Sequence, residues 1–273
     1  MEVIRILLSW LFLIHFMYIE VRCTSKPMRG NETRTSSKLE GSHDEEKHRR
    51  LFQMAMRIKE LPVGNPDIHN LNVAYNDITS VHDYELYNKS YTGLRKLYVH
   101  QNSIKHVGHH AFRGIKHLKH IDLSYNQIKK INSYTFVSNN KLSRLIMSNN
   151  LIRFEKYETF LLSHSIEYLV LAYNDIDQIF DLTFLGVPNL KSLILNNNEL
   201  HSIAPNSFKS LNKLQYLSIV NTGVYRLSES MFSLIPRTLN LEGTPLAIRF
   251  EPPLKKVSGE AVVRLIGLSK ILI

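Results

Sequence analysis

The chain has 273 residues and carries 34 Lys and Arg against 24 Asp and Glu, a formal net charge of +10. Hydrophobic residues make up 44%, which excludes a wholly disordered chain, and the single cysteine excludes a small disulfide-stapled scaffold. The positive charge favours a protein partner or an anionic microbial or lipid ligand; no base-reading motif accompanies it, so nucleic acid is not expected.

Met1 to Arg5 is short and charged, Ile6 to Ile19 is apolar, and Glu20-Val21-Arg22-Cys23 follows. Residues 1–23 are expected to be a secretory signal peptide cut near Cys23, with an uncleaved signal anchor as the competing possibility. The apolar run is short for a bilayer span, and no later run is long enough. A secreted, extracellular protein with no stable membrane span is therefore expected. Residues 24–50 are polar and mixed in charge, bury too little to offset ordering entropy, and are expected to form a disordered arm. Lys47-His48-Arg49-Arg50 within it is either a processing site or plain charge. Asn31-Glu32-Thr33 and Asn88-Lys89-Ser90 make Asn31 and Asn88 candidate glycosylation sites. Residues 51–67 are apolar enough at Leu51 to Leu61 for an N-terminal cap or a degenerate first repeat.

Residues 68–246 are periodic. Asn76, Asn102, Asn126, Asn150, Asn174 and Asn198 share one frame, as in Leu118-xx-Ile121-x-Leu123-xx-Asn126-x-Ile128, and from Asn102 onward each lies 24 positions after the last. Within a rung, Leu145-Ile146-Met147 predicts a short strand with Leu145 and Met147 inward and Ile146 outward. The Asn follows, where the chain must turn. Its amide both donates and accepts, so a row of Asn would bind backbone groups of its own and neighbouring turns. Thr222 and Thr244 stand in the Asn position of the last two rungs and predict looser turns. Phe112, Phe136, Phe160, Phe184, Phe208 and Phe232 form a second ladder of the same step, placed to fill the space behind the strands with stacked rings. Glu155 interrupts the neighbouring Ile row, and Phe154 is expected to turn inward in its place.

Fixed self-similarity of this length predicts a solenoid in which stacked units share one core. The two ladders resemble those of the leucine-rich repeat family, in its 24-residue extracellular subclass, as in Toll-like receptor ectodomains and arthropod secreted leucine-rich immune proteins. The resemblance implies an α/β solenoid: a right-handed horseshoe with a concave parallel β-sheet of about eight strands and an irregular, Phe-lined convex side. It also implies cysteine-bonded end caps, which a chain with Cys23 alone lacks. Residues 247–273 are expected to be an atypical cysteine-free C-terminal cap; self-association through the solenoid ends is the alternative.

The outward strand positions form columns. One runs Asn72, Tyr98, Asp122, Ile146, Val170, Ile194, Ser218, Asn240; the one before it runs Asn70, Lys96, His120, Arg144, Tyr168, Ser192, Tyr216, Thr238. Ile146, Val170 and Ile194, flanked by Tyr168, Tyr216, Ala172 and Val220, predict an apolar and aromatic surface patch. Lys96, Lys119, His120 and Arg144 predict a basic neighbour. Tyr98, Asp122, Ile146, Val170, Ile194, Tyr168, Tyr216, Lys96, His120 and Arg144 are thus the candidate ligand-binding residues, although β-branched residues suit any pleated surface. A third column, Tyr75, Tyr125 and Tyr173 alternating with Gln101, Asn149 and Asn197, is either a contact row or turn packing.

His100, His106, His109, His110, His117 and His120 crowd one stretch. His100 and His120 lie about four residues apart along the strand direction, roughly 13 Å, too far to share an ion, so no metal site and solvated histidines are expected. No phosphate-binding loop, metalloprotease motif, paired-cysteine motif or nucleophile elbow is present, which predicts neither an enzyme nor a cofactor. The expected function is a secreted binding protein that takes a protein or a microbial or lipid ligand on its concave face, and the resemblance points to innate immunity. A membrane-tethered receptor or adhesion ectodomain and a self-associating matrix protein are the alternatives.

Overall fold

The computed structural model of the chain describes residues 49–250 and 252–268. The expected signal peptide, Asn31, Cys23 and residues 24–48 of the expected arm lie outside the described residues. The arm was expected to end at residue 50, but Arg50–Phe52 is already a strand, paired in parallel with Asn70–Asn72. The Arg49 carbonyl accepts from the His69 and Asn70 N–H groups, and Leu51 packs against the core. Backbone pairing and one apolar anchor thus order a segment whose composition is polar.

Each repeat contributes one strand of three residues with a buried middle: Lys96–Tyr98, His120–Asp122, Arg144–Ile146, Tyr168–Val170, Ser192–Ile194, Tyr216–Ser218 and Thr238–Asn240 follow Asn70–Asn72. All eight pair in parallel with chain neighbours, in the register Asn72, Tyr98, Asp122, Ile146, Val170, Ile194, Ser218, Asn240. The sheet has ten strands, because Arg50–Phe52 extends the front and Lys256–Ser258 pairs antiparallel with Thr238–Asn240 at the back. An open sheet edge exposes unpaired backbone groups, and an antiparallel strand ends the series. The helix Glu260–Leu268 follows it, with Val262 and Leu265 buried in the core.

The Asn ladder does the work its chemistry predicts. The Asn126 amide donates to the carbonyls of Leu123 (3.0 Å), Ser124 (3.1 Å) and, one repeat earlier, Val99 (3.0 Å), and its Oδ1 accepts from the Ile104 N–H (2.9 Å). Asn102, Asn150, Asn174 and Asn198 repeat the pattern. Asn76 extends it forward: its Oδ1 accepts from Met56 and Ile58, which ties residues 51–58 to the solenoid as an imperfect turn. The Thr222 hydroxyl makes one bond, to the Ile219 carbonyl at 2.7 Å. Thr244 does more than its position in the ladder predicts. Its Oγ1 accepts from the Ala247 N–H at 3.1 Å and caps the helix Pro245–Ile248, with proline in the first helical turn.

The Phe ladder is not one continuous stack. Phe112 and Phe136 stack at 5.2 Å, and Phe184, Phe208 and Phe232 stack at 6.0 and 5.1 Å. Between these groups Phe160 is only half-buried. Phe154 turns inward and meets both Phe160 (5.0 Å) and Phe184 (5.5 Å) edge to face. An edge-to-face ring fills the gap left where Glu155 interrupts the apolar row.

Candidate functional site on the concave face

Three half-buried aliphatic side chains, Ile146, Val170 and Ile194, sit side by side on the outer face of the sheet, each the register partner of the next. Strands about 4.8 Å apart turn three such residues into a strip of roughly 10 Å. Tyr168 flanks it at 38% exposure, with the Arg144 guanidinium over its ring at 4.8 Å. Tyr216, half-buried, lies under the Lys256 ammonium at 5.8 Å. Ala172 was expected at the margin of the patch but is buried, because it sits where the chain bends into the turn. Farther along the same column Ser218 is 1% exposed, and its hydroxyl and the Asn240 Oδ1 are buried without a protein partner. Composition gave no sign of that closure, since Ser and Asn at an outward strand position read as surface.

The N-terminal half is polar and aromatic. Tyr98 is half-buried, and its ring meets His120 at 5.2 Å and the edge of His100 at 6.4 Å. His100 in turn meets Tyr75 edge to face at 5.6 Å. The Asp122 carboxylate accepts from the Ser124 N–H (3.0 Å) and hydroxyl (2.6 Å), and its other oxygen lies 3.6 Å from His100 Nδ1. Lys96 and Arg144 stand exposed on either side of His120. His100 and His120 are therefore half-buried rather than solvated as expected. The backbone spacing that separates them is spanned by the Tyr98 and Asp122 side chains, and counting residues along a strand takes no account of side-chain reach. Among the described residues no group of three potential ligands could hold a metal ion.

Burial lowers the pKa of both histidines, against the opposing pull of Asp122; Arg144 and Lys96 lower His120 further. Burial, then Asp122, raises Tyr98. The consequence for stability has a definite sign. With folded values below the ordinary value near 6.5, the unfolded chain takes up protons first. Stability present above about 6.5 is lost as pH falls through the folded values. Thermal unfolding from about pH 7.5 to about pH 5 should show a falling Tm. A His100→Gln/His120→Gln double variant should show a shallower fall; an identical slope would show that these rings carry none of it.

The lip of the face holds the third column. Tyr75, Gln101, Tyr125, Asn149, Tyr173, Asn197 and Asn221 all adopt the left-handed backbone, with φ between 52 and 58°. Asn takes that conformation at little cost, whereas a bulky Tyr is strained there. Tyr125 and Tyr173 are nonetheless half exposed, at 51% and 50%, so each presents part of its ring to solvent. Asn88, the sequon residue among the described residues, is exposed in the short helix Glu85–Asn88.

Repeats, strand register and asparagine ladder together define a leucine-rich repeat fold. Residues 92–152 and 164–224 each match the family model described as leucine rich repeat. The solenoid is similar to that in the crystal structure of a TLR13–ssRNA13 complex, with 25% sequence identity and a TM-score of 0.59. The likeness covers 70% of this chain and 27% of that one, so the chain spans about a quarter of that receptor's length. No curated protein matches the chain by sequence. The scaffold is thus a leucine-rich repeat solenoid that resembles a Toll-like receptor ectodomain. Among the described residues no helix is long and apolar enough to cross a membrane.

Proposed function

We propose that the protein is a secreted recognition module that takes a protein partner, or the acyl-bearing part of a microbial or lipid ligand, on its concave face in an innate-immune setting. The observation that carries this is the strip Ile146, Val170 and Ile194, open on a sheet face whose surroundings are polar. Aliphatic side chains left half in water are a standing cost that a partner's apolar surface removes, at about 25 cal/mol per Å². Tyr168 and Tyr216 beside the strip add rigid contact area of the kind that dominates interface energies. Arg144, Lys96 and His120 next to it would orient an anionic group. The receptor structure similar to this chain holds single-stranded RNA, which supports ligand capture on such a scaffold; the aliphatic centre here suits a less polar ligand.

The test is an Ile146→Glu/Ile194→Glu variant of the secreted protein, used as bait beside wild type in body fluid or culture medium. Each new carboxylate would be buried at the interface, costing several kcal/mol in binding. Ligands recovered by wild type should be lost from the variant while circular dichroism stays unchanged. Retention of the same ligands by a folded variant would remove the strip from the site.

A further inference from the structure

A second feature lies at the other end of the same strands, on the rim where the chain enters the sheet. Arg95, Lys96, Lys116, Lys119, Lys141 and Arg144 are all exposed there. The backbone of Arg95, Lys119 and Arg144 is fixed rung on rung: the Lys119 and His120 N–H groups donate to the Arg95 carbonyl, and those of Ser143 and Arg144 to the Lys119 carbonyl. The cations therefore stand in a row at steps set by the strand spacing of about 4.8 Å. Among the described residues none of the six makes an ion pair, whereas one strand beyond the row Glu167 holds Lys191 at 2.8 Å. Like charges directly across neighbouring strands destabilise a sheet. The neighbouring histidines register the same field: after burial, Arg95 and Arg49 lower His69. Lys141 Nζ, meanwhile, comes to 3.4 Å from His117 Nδ1.

We propose that this rim binds a linear sulfated polysaccharide, at a site that adjoins the aliphatic strip and shares Lys96 and Arg144 with it. Regularly spaced cations on a rigid edge match a polymer of regularly spaced anions, which single acids or isolated headgroups do not. Arginine supplies a planar fork and lysine a point charge, suited to a chain that carries both sulfate and carboxylate. Single-stranded nucleic acid fits less well, because it is held by cations interleaved with open ring faces on which bases stack. Here the rings near the row are already engaged: Tyr98 packs against His120 and His100, and Tyr168 has Arg144 over it. An anionic bilayer would want apolar side chains among the cations to insert, and the six form no such surface.

Binding of the full chain to a heparin-type sulfated oligosaccharide, its desulfated counterpart, a single-stranded RNA and anionic phospholipid vesicles tests this, as a function of NaCl. Wild type should bind the sulfated chain, progressively less as salt rises, and the desulfated chain negligibly. An Arg95→Gln/Lys119→Gln/Lys141→Gln variant, with a Tm no lower than wild type because all three are exposed and like-charged, should bind roughly a hundredfold more weakly at low salt. An Ile194→Glu variant, altered two strands beyond the row, should keep wild-type affinity for the sulfated chain. Absence of binding by wild type, equal affinity of the triple variant, equal affinity for the desulfated chain, or tighter binding of RNA or vesicles would each overturn the proposal.

Discussion

Replacing Asn150 with leucine should destabilise the solenoid by about 3–5 kcal/mol, from roughly 1–3 kcal/mol for each buried backbone group left unpaired. Asn150 is 5% exposed and sits at the middle of the ladder. Its amide donates to the carbonyls of Met147 (3.1 Å) and Leu123 (3.0 Å), and its Oδ1 accepts from the Ile128 N–H (3.0 Å). Leucine matches the branched shape with somewhat more bulk and makes none of these bonds, so the larger part of the loss is in hydrogen bonding. Asn150→Thr should cost less, because Thr222 shows what a hydroxyl can do at this position: it reaches the carbonyl three residues back and stops there. Urea unfolding followed by far-ultraviolet circular dichroism would rank the two variants. Because contacts in a solenoid are local, the leucine variant should also unfold in two resolved steps, one for each side of the break. A cooperative transition within about 1 kcal/mol of wild type would show that the ladder is ornamental to stability.

Phe184→Ala should cost a comparable amount, about 3–5 kcal/mol, or a fall in Tm of roughly 10 °C for a domain of this size. Phe184 is fully buried at the front of the second ring stack, meeting Phe208 face to face and Phe154 edge to face. Its neighbour in the ladder, Phe160, is half-buried. Phe160→Ala should therefore cost clearly less, although the two residues occupy equivalent positions in the repeat. Differential scanning calorimetry of the pair separates them. Equal losses would mean that ladder position, rather than the local contact with Phe154, sets the energy.

The difference between those two phenylalanines illustrates what was legible in the residues and what was not. Period alone placed Asn126 and Asn150 at the turns, Leu145 inward and Ile146 outward, because a 24-residue step and a two-residue strand alternation leave one consistent register. It placed Val170 and Ile194 beside Ile146 for the same reason. Period could not see departures that depend on side-chain reach. The break at Glu155 predicts that Phe154 turns inward, but not that it meets two rings of a neighbouring row, nor that His100 and His120 are linked through Tyr98 and Asp122 across a gap that backbone counting treats as empty. Nor could it see the ends, where the repeat fails. Arg50–Phe52 joins the sheet from a polar stretch, Thr244 caps a helix, and Lys256–Ser258 turns back antiparallel. The strain at Tyr125 and Tyr173 was hidden as well, since nothing in a tyrosine announces a left-handed backbone.

The concave location of the ligand is tested most directly by contact-dependent crosslinking. A photo-crosslinking amino acid is placed at Val170, in the centre of the strip, and in a second protein at Ser202, exposed on the convex side. Both proteins are then exposed to whatever the wild-type bait recovers. Covalent adducts from position 170 and none above background from position 202 are the expected result. Adducts from position 202 with none from position 170 would place recognition on the convex side and contradict the account.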